Sequence, residues 1–380
     1  MMLFQGFKYR IPEKVTITVD WFEVFGKTTF PIFKEYSTMT YKEGLDNLIE
    51  VTPEMILVVC NYATSTYRTV FEVRYSGHLI GLIYANPRNI NERFTEDCVS
   101  VKIANNLLYT ENWLTQFRVI QKFFAITINN ITRLDIAIDG FTDLIQFLTM
   151  YTKQNENKKR VIRVGKAQLT PYKFQDETLK YDGFMVGARQ SDKYMVIYQK
   201  SIELNRSRKD YIKEFWERNG IDSKGYVERA EIRLNSKYLE TIGLNIDYLE
   251  KLENPTYLAS VYFTATLSYF DFRKNNSVNI TYCDKIKLIP FEKMNSRYLP
   301  KCRAIPPTDV YKTKISIHTQ VMEILRGEIS GNLIEHKKQV IASHIEKYSL
   351  RTWYEDKLPE WKAIYETQKT TGHYYELSQL

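Results

Sequence analysis

Two tyrosines and a lysine share one face of a predicted strand near the middle of the chain. In K-Y-M-V-I-Y-Q-K the alternation of side chains places Tyr194, Tyr198 and Lys200 on one side. A phenol can attack phosphorus when a metal ion polarises the phosphate and a neighbouring group accepts the proton. A nearby ammonium group stabilises both the phenolate and the charge that develops on the phosphate. The set indicates phosphodiester chemistry, although most strand tyrosines only pack and this chain has 28 of them.

Carboxylates occur on two further predicted strands. In R-L-D-I-A-I-D-G, Asp135 and Asp139 share a face but lie about 13 Å apart, too far for one metal ion in a straight strand. In V-E-R-A-E-I-R-L, Glu231 shares its face with Arg229 and Arg233. Such a strand could hold a metal ion beside two phosphate-binding guanidinium groups, or it could be a surface ladder of salt bridges. Both interpretations of the two strands stay open from the residues alone.

The elements that must position these side chains alternate between strands and helices. Hydrophobic periodicity and turn residues predict strands over 15–25, 56–61, 69–74, 78–84, 98–103 and 131–139. The predicted helices cover 110–127, 141–153, roughly Ser201 to Asn219, about 236–252 and 256–270. We therefore expect an α+β fold in which antiparallel-rich sheets carry helices on one face, with two related halves as a possible arrangement.

A proline-rich segment separates this body from the end of the chain. Y-L-P-K-C-R-A-I-P-P begins at Tyr298 and carries the strongest turn signals in the sequence. We predict a catalytic body over 1–297, a linker over 298–309 and a helical C-terminal module over 310–380. The module could bind DNA or a partner, or it could serve packing or dimerisation.

Composition narrows the class of protein. The net charge is +8 and the isoelectric point about 9.0, which suits an anionic partner, with nucleic acid ahead of a membrane surface. The four cysteines form no C-x-x-C pair and the histidines form no H-x-H motif, which argues against a zinc ribbon and a histidine-held metal. No apolar stretch is long enough for a membrane span, and the first residues do not resemble a signal peptide. We expect a cytoplasmic protein.

Four motifs of this chain, taken in order, resemble those of one protein family. The family comprises the replication initiation proteins of rolling-circle plasmids, together with related initiators of phages and mobile elements. The active-site segment of that family reads G-x-R-x-S followed by Y-x-K-x-x-E, here from Gly187 to Glu203. The upstream R-x-D-x-A-x-D strand, the downstream R-x-E-x-R strand and the early V-D-W around Asp20 also match in order and spacing. The resemblance covers roughly residues 15–235, and this family lacks the H-x-H motif as well.

The resemblance implies a nickase that uses tyrosine as its nucleophile. Tyr198 would attack one DNA strand and stay joined to the 5′ phosphate, and Lys200 would support charge at the scissile phosphate. Asp135 or Asp139, together with Glu231, would hold Mg²⁺ or Mn²⁺. Tyr194 departs from the family pattern as a second phenol on the same face, so the identity of the attacking phenol stays open.

The resemblance also implies a double-stranded DNA origin with an exposed single strand as partner, in a bacterial host. Origin specificity would lie between about 235 and 297, and a host helicase and a homodimer are further candidate partners. The alternatives are a non-catalytic, sequence-specific DNA-binding protein of a phage or mobile element, and a capsid-associated phage protein. The expected DNA-binding residues are Arg189, Arg206, Arg208, Lys209, Lys213, Arg229 and Arg233.

Overall fold

The chain divides into two compact units, Met1–Cys302 and Arg303–Leu380, here called the sheet unit and the helical unit. The computed structural model describes residues 2–4, 6–35, 47–91, 94–155, 159–175, 180–267, 269–299 and 307–370. Residues 300–306 of the predicted linker lie outside the described residues.

The sheet unit consists mainly of strands, with short helices between some of them along the chain. The strands are β1 Met2–Phe4, β2 Phe7–Lys8, β3 Thr16–Thr28, β4 Leu48–Glu50, β5 Met55–Val59, β6 Tyr67–Tyr75, β7 His78–Pro87, β8 Cys98–Ile103, β9 Ile126–Phe141, β10 Val161–Val164, β11 Leu169–Gln175, β12 Lys180–Val186, β13 Lys193–Gln199, β14 Glu228–Asn235, β15 Asp271–Lys274 and β16 Lys285–Ile286. The helices are α1 Ile32–Glu35, α2 Trp113–Phe123, α3 Leu144–Thr152, α4 Lys200–Ser207, α5 Asp210–Arg218, α6 Ser236–Thr241 and α7 Pro255–Thr266.

One eleven-stranded sheet organises the unit, in the order β11-β12-β13-β14-β9-β3-β8-β7-β6-β5-β4. Every neighbouring pair in it is antiparallel. The two central strands, β3 and β9, are each the first strand of one half of the sheet. In the first half the last strand, β8, lies beside β3, and in the second half the last strand, β14, lies beside β9. The predicted α+β fold with antiparallel sheets is confirmed, and the shared strand order gives the two related halves.

The two faces of the central strands differ in chemistry, as alternation requires. On the apolar face Phe22 packs against Trp113 and Phe117 of α2, with ring centroids 5.0 and 5.3 Å away. On the same side of β14, the Glu228 carboxylate accepts hydrogen bonds from the first two backbone N–H groups of α3, at 2.8 and 3.1 Å. The opposite face of these strands carries the predicted chemistry.

The helix predicted from about Ser201 to Asn219 is two helices, α4 and α5. Arg208 separates them with a left-handed backbone conformation at φ +50°. Periodicity continues across this break, which is why the sequence suggests one helix. The run predicted over 236–252 is likewise divided, into α6 and a 3₁₀ helix at Ile246–Glu253.

Three helices make up the described part of the helical unit, α8 Pro307–Leu325, α9 Asn332–Lys347 and α10 Arg351–Thr370. They enclose a small apolar core formed by Ile317, Val321, Met322, Ile341, Leu350 and Trp361. The predicted helical character of the C-terminal module is confirmed. Across the described parts of both units, no helix combines the length and apolar character that crossing a bilayer requires.

Candidate active site

The register of β13, β14 and β9 brings the predicted site residues into rows across the polar face. Arg229 pairs with Tyr198 on one side and with Asp139 on the other. Two residues further along β14, Glu231 pairs with Val196 and Ala137, and after two more Arg233 pairs with Tyr194 and Asp135. Antiparallel pairing therefore joins residues that are about 30 to 100 positions apart in sequence into one surface.

The phenol of Tyr198 lies between a carboxylate and an ammonium group. Its Oη donates a hydrogen bond to Glu231 Oε2 at 3.2 Å, and Lys200 Nζ donates to the same Oη at 3.3 Å. Lys200 is the first residue of α4, is 3% exposed and also contacts Glu203 Oε2 at 2.5 Å. The end of β13 and the start of α4 thus place one cation against the phenol.

Burial shifts the titration of each group around this phenol. It raises the pKa of Tyr198 well above its usual value, reinforced by the charge of Glu231 and opposed by Arg229. Burial, followed by the like charge of Arg229, lowers the pKa of Lys200. Burial and the charges of Asp20 and Asp135 raise the pKa of Glu231 to about 7. The resting phenol is protonated and hydrogen-bonded to a carboxylate that can take up a proton near neutral pH.

Tyr194 has a different environment from Tyr198. It is 5% exposed, whereas Tyr198 is half-buried. Burial raises the pKa of Tyr194, and the nearby charges of Arg189 and Arg233 oppose the shift. Of the two tyrosines on this face, Tyr198 is the more exposed as a whole side chain, and its phenol has the carboxylate and the lysine beside it.

Arg229 is the centre of a buried network behind the phenol. Its Nε and Nη2 each donate to the Asp139 carboxylate at 2.7 Å, and its Nη1 donates to Asp20 Oδ1 at 2.9 Å. Nη2 also reaches Tyr109 Oη at 2.9 Å. Trp216 of α5, which crosses this face, donates to Asp139 at 2.8 Å. Every Arg229 contact is therefore internal to the protein.

Asp20 is a site residue to which the sequence patterns assign no role. The pairing of β3 with β9 shifts between Val19 and Trp21, so Asp20 lies at an irregularity of the strand. Burial alone would raise the pKa of Asp20, but Arg229, Lys200 and the hydrogen bond from Tyr109 lower it below its usual range. The V-D-W motif marks this position, but regular alternation gives no sign of the irregularity.

Asp135 and Asp139 form ion pairs with different arginines. Arg133 Nε donates to both oxygens of Asp135, at 2.9 and 3.1 Å, and Arg233 Nε is 3.5 Å from Oδ2. Burial raises the pKa of Asp135, and Arg133 opposes the shift. Both aspartates are 1% exposed. The predicted ligands Asp135, Asp139 and Glu231 therefore do not converge as one set of free carboxylates.

The described ranges contain no group of three or more histidine, cysteine, aspartate or glutamate side chains arranged to hold a metal ion. Two half-buried carboxylates, Asp20 and Glu231, lie on the polar face and influence each other's charge. Mg²⁺ in phosphoryl-transfer sites commonly uses only one or two carboxylates, and substrate phosphates complete its coordination. After burial, the charge of Asp20 is the next cause that raises the Glu231 pKa. A divalent cation would relieve that repulsion, and carboxylate oxygens are the donors that Mg²⁺ and Mn²⁺ prefer, so the donor set fits either ion.

The predicted DNA-binding cations differ in accessibility. Arg189 is exposed in the loop before β13, and Arg206 and Arg208 are exposed at the end of α4. Lys209, Lys213 and Arg233 are half-buried. Arg229 has no exposed surface, so it is placed to hold the site together and not to contact DNA directly.

Residues 129–282 match the family model described as replication initiation factor. The matched region contains the strands of Asp135, Tyr198 and Glu231, and the resemblance drawn from the motifs is confirmed there. No curated protein matches the chain. Among solved structures, the chain is similar to the rolling circle replication initiator protein from Geobacillus stearothermophilus. The two are 16% identical, with 76% of this chain and 99% of that chain covered and a TM-score of 0.45.

Proposed function

We propose that this chain, whose residues 129–282 match the replication initiation factors, nicks and rejoins one strand of origin DNA through Tyr198 to start rolling-circle replication. The observation that carries the proposal is the Tyr198 phenol, held between Glu231 Oε2 and Lys200 Nζ on a half-buried polar face. A phenol that only packs in a core needs neither an adjacent proton acceptor nor an adjacent cation.

The proposed reaction is a transesterification at phosphorus. Tyr198 Oη forms a bond to the scissile phosphorus while its proton passes to Glu231 Oε2, 3.2 Å away. The bond from phosphorus to the 3′ oxygen breaks, and this oxygen leaves with a proton from water. The 5′ phosphate stays on Tyr198, and reversal of the same steps by a 3′ hydroxyl rejoins the strand. Lys200 Nζ stabilises negative charge on the phenol oxygen as it forms.

In this proposal Asp20 and Glu231 would hold Mg²⁺ or Mn²⁺ through Asp20 Oδ2 and Glu231 Oε1, because Arg229 and Tyr109 donate to Asp20 Oδ1 and Tyr198 donates to Glu231 Oε2. The Asp139 carboxylate accepts hydrogen bonds from Arg229 and Trp216, and the Asp135 carboxylate accepts them from Arg133. When bound, the ion would polarise the scissile phosphate. Arg229 acts as a positioning residue, because it fixes Asp20 relative to the strand that carries Glu231.

The proposed substrate is a double-stranded origin with an exposed single strand. Arg189, Arg206 and Arg208 are exposed and would give salt-dependent affinity through backbone phosphates. Sequence reading between about 235 and 297, a host helicase and a homodimer remain predictions.

The test is incubation with a supercoiled plasmid that carries the protein's own gene, with and without Mn²⁺. The expected products are relaxed plasmid and protein covalently joined to DNA, both dependent on the metal. Binding to the origin that persists in EDTA, with no nick under Mn²⁺, would instead favour the non-catalytic DNA-binding protein.

A further inference from the structure

Trp21, next to Asp20 on β3, lies between two cations from the neighbouring strands. Lys102 Nζ of β8 is 3.3 Å from the Trp21 ring centroid, and the Arg133 guanidinium of β9 is 3.9 Å from it. The indole Nε1 donates to Glu23 Oε2 at 3.1 Å, which fixes the plane of the ring. Since cations at these distances are attracted to an indole face, Trp21 holds both charges in place.

These cations belong to a larger group of positive charges beside the site. Burial lowers the pKa of Lys102 to about 8, Glu23 opposes this shift, and the like charges of Arg133 and Lys209 add to it. Lys209, at the start of α5, also acts on Asp20. Neither Lys102 nor Lys209 forms an ion pair within the described ranges. Lys102 and Arg133 thus flank Glu23 in one row of the sheet, and a bound anion would stabilise the partly buried Lys102 charge.

The group continues directly into the candidate site. Trp21 pairs with Asp135 across β3 and β9, and Asp135 pairs with Arg233 across β9 and β14. The side chains of Arg133 and Arg233 are 24% and 31% exposed. An anion on these residues would therefore lie on the same face as Tyr198, Glu231 and Asp20.

We infer that a single strand of DNA crosses this face beside the scissile phosphate, with its backbone phosphates on Lys102 and Arg133. The inference rests on the proposed function. A single strand fits better than a duplex, because Tyr198 and Glu231 are half-buried among α4, α5 and the sheet. Lys102 and Arg133 occupy the face of the Trp21 ring, so this ring is poorly placed to stack on a DNA base. The inferred contacts are therefore to phosphates, which carry no sequence information.

The experiment measures binding of a fluorescent single-stranded oligonucleotide by anisotropy at several salt concentrations, in a Tyr198→Phe background that cannot be cut. Lys102→Met keeps much of the side-chain volume and removes the charge. We expect several-fold weaker binding, with the slope of log affinity against log salt reduced by about 0.7 for each lost phosphate contact. Lys102→Arg should restore both values.

Lys27→Met is the matched control, because Lys27 lies on β3, carries the same charge and is paired with Asp97 at the far end of the strand. The inference is overturned if Lys102→Met keeps the parental affinity and salt slope, or if Lys27→Met weakens binding equally. It is also overturned if Lys102→Met weakens duplex binding more than single-strand binding. Thermal unfolding of each variant verifies the fold. Nicking by Tyr198→Phe itself would instead refute the proposed function, so the two failures are distinguishable.

Discussion

Arg229 and Asp139 form a bidentate ion pair in which neither side chain reaches solvent. Both hydrogen bonds measure 2.7 Å, and the side chains are 0% and 1% exposed. Two charges can be buried at this depth only when nearly every hydrogen-bonding group has a partner, here supplied by Asp20, Tyr109 and Trp216. The pair fixes β14 against β9 directly behind the Tyr198 phenol.

Removal of Asp139 should leave a buried guanidinium only partly compensated. We expect Asp139→Ala to lower the free energy of unfolding by about 3–5 kcal/mol, measured by chemical denaturation. Arg74→Ala, which breaks a surface pair with Glu72, is the control and should cost about 0–1 kcal/mol. A loss for Asp139→Ala no larger than for the control would contradict the structural role of the pair.

The two tyrosines of β13 should behave differently in a nicking assay. Tyr198→Phe removes the phenol oxygen beside Glu231 and Lys200, and we expect nicking to fall by about 10⁴-fold or more and the covalent adduct to disappear. Tyr194→Phe keeps the packing of a side chain that is 5% exposed, so its nicking rate should stay within a few-fold of the parent. The reverse pattern would make Tyr194 the nucleophile.

Metal affinity should depend on Asp20 and Glu231. In the double variant Asp20→Asn with Glu231→Gln, we expect Mn²⁺ binding, followed by the electron paramagnetic resonance signal of the free ion, to weaken strongly. Asp97→Asn changes an exposed carboxylate elsewhere in the sheet unit and should leave the affinity unchanged. Unchanged Mn²⁺ affinity in the double variant would remove these two residues as ligands.

Glu228 should make stability depend on pH. Burial raises its folded pKa to about 7, and the hydrogen bond from Ile145 N opposes the shift. The folded protein therefore binds this proton more tightly than the unfolded chain, and the contribution to stability is lost as pH rises from about 4.5 to about 7. We expect Glu228→Gln, which keeps an acceptor for α3, to be stabilised relative to the parent across this interval by an amount on the order of a few kcal/mol. Denaturation at several pH values tests this, and parallel curves for both proteins would contradict it.

Much of the site follows from local rules. Alternation along a strand predicts that Tyr194 and Tyr198 share a face and that Glu231 lies with Arg229 and Arg233, and the registers of β13 and β14 agree. The same rule predicts that Asp135 and Asp139 lie too far apart for one ion, and the structure gives each a different arginine. Residue types and spacing are sufficient for these predictions, because a strand repeats every two residues whatever packs against it.

Tertiary structure alone decided which charges stay available for chemistry. The pairing of Arg229 with Asp139 and Asp20 spans 90 and 209 residues of sequence, and no local pattern specifies it. The strand irregularity at Asp20 and the approach of Trp216 to Asp139 join distant segments. The left-handed conformation of Arg208 divides a helical run whose periodicity is continuous in sequence. The sequence by itself determined which strands carry these residue types and which of their side chains share a face. The fold decided that Arg229 and Asp139 form a buried ion pair that holds β14 against β9. It also decided that Tyr198, Glu231 and Asp20 lie half-buried on the polar face.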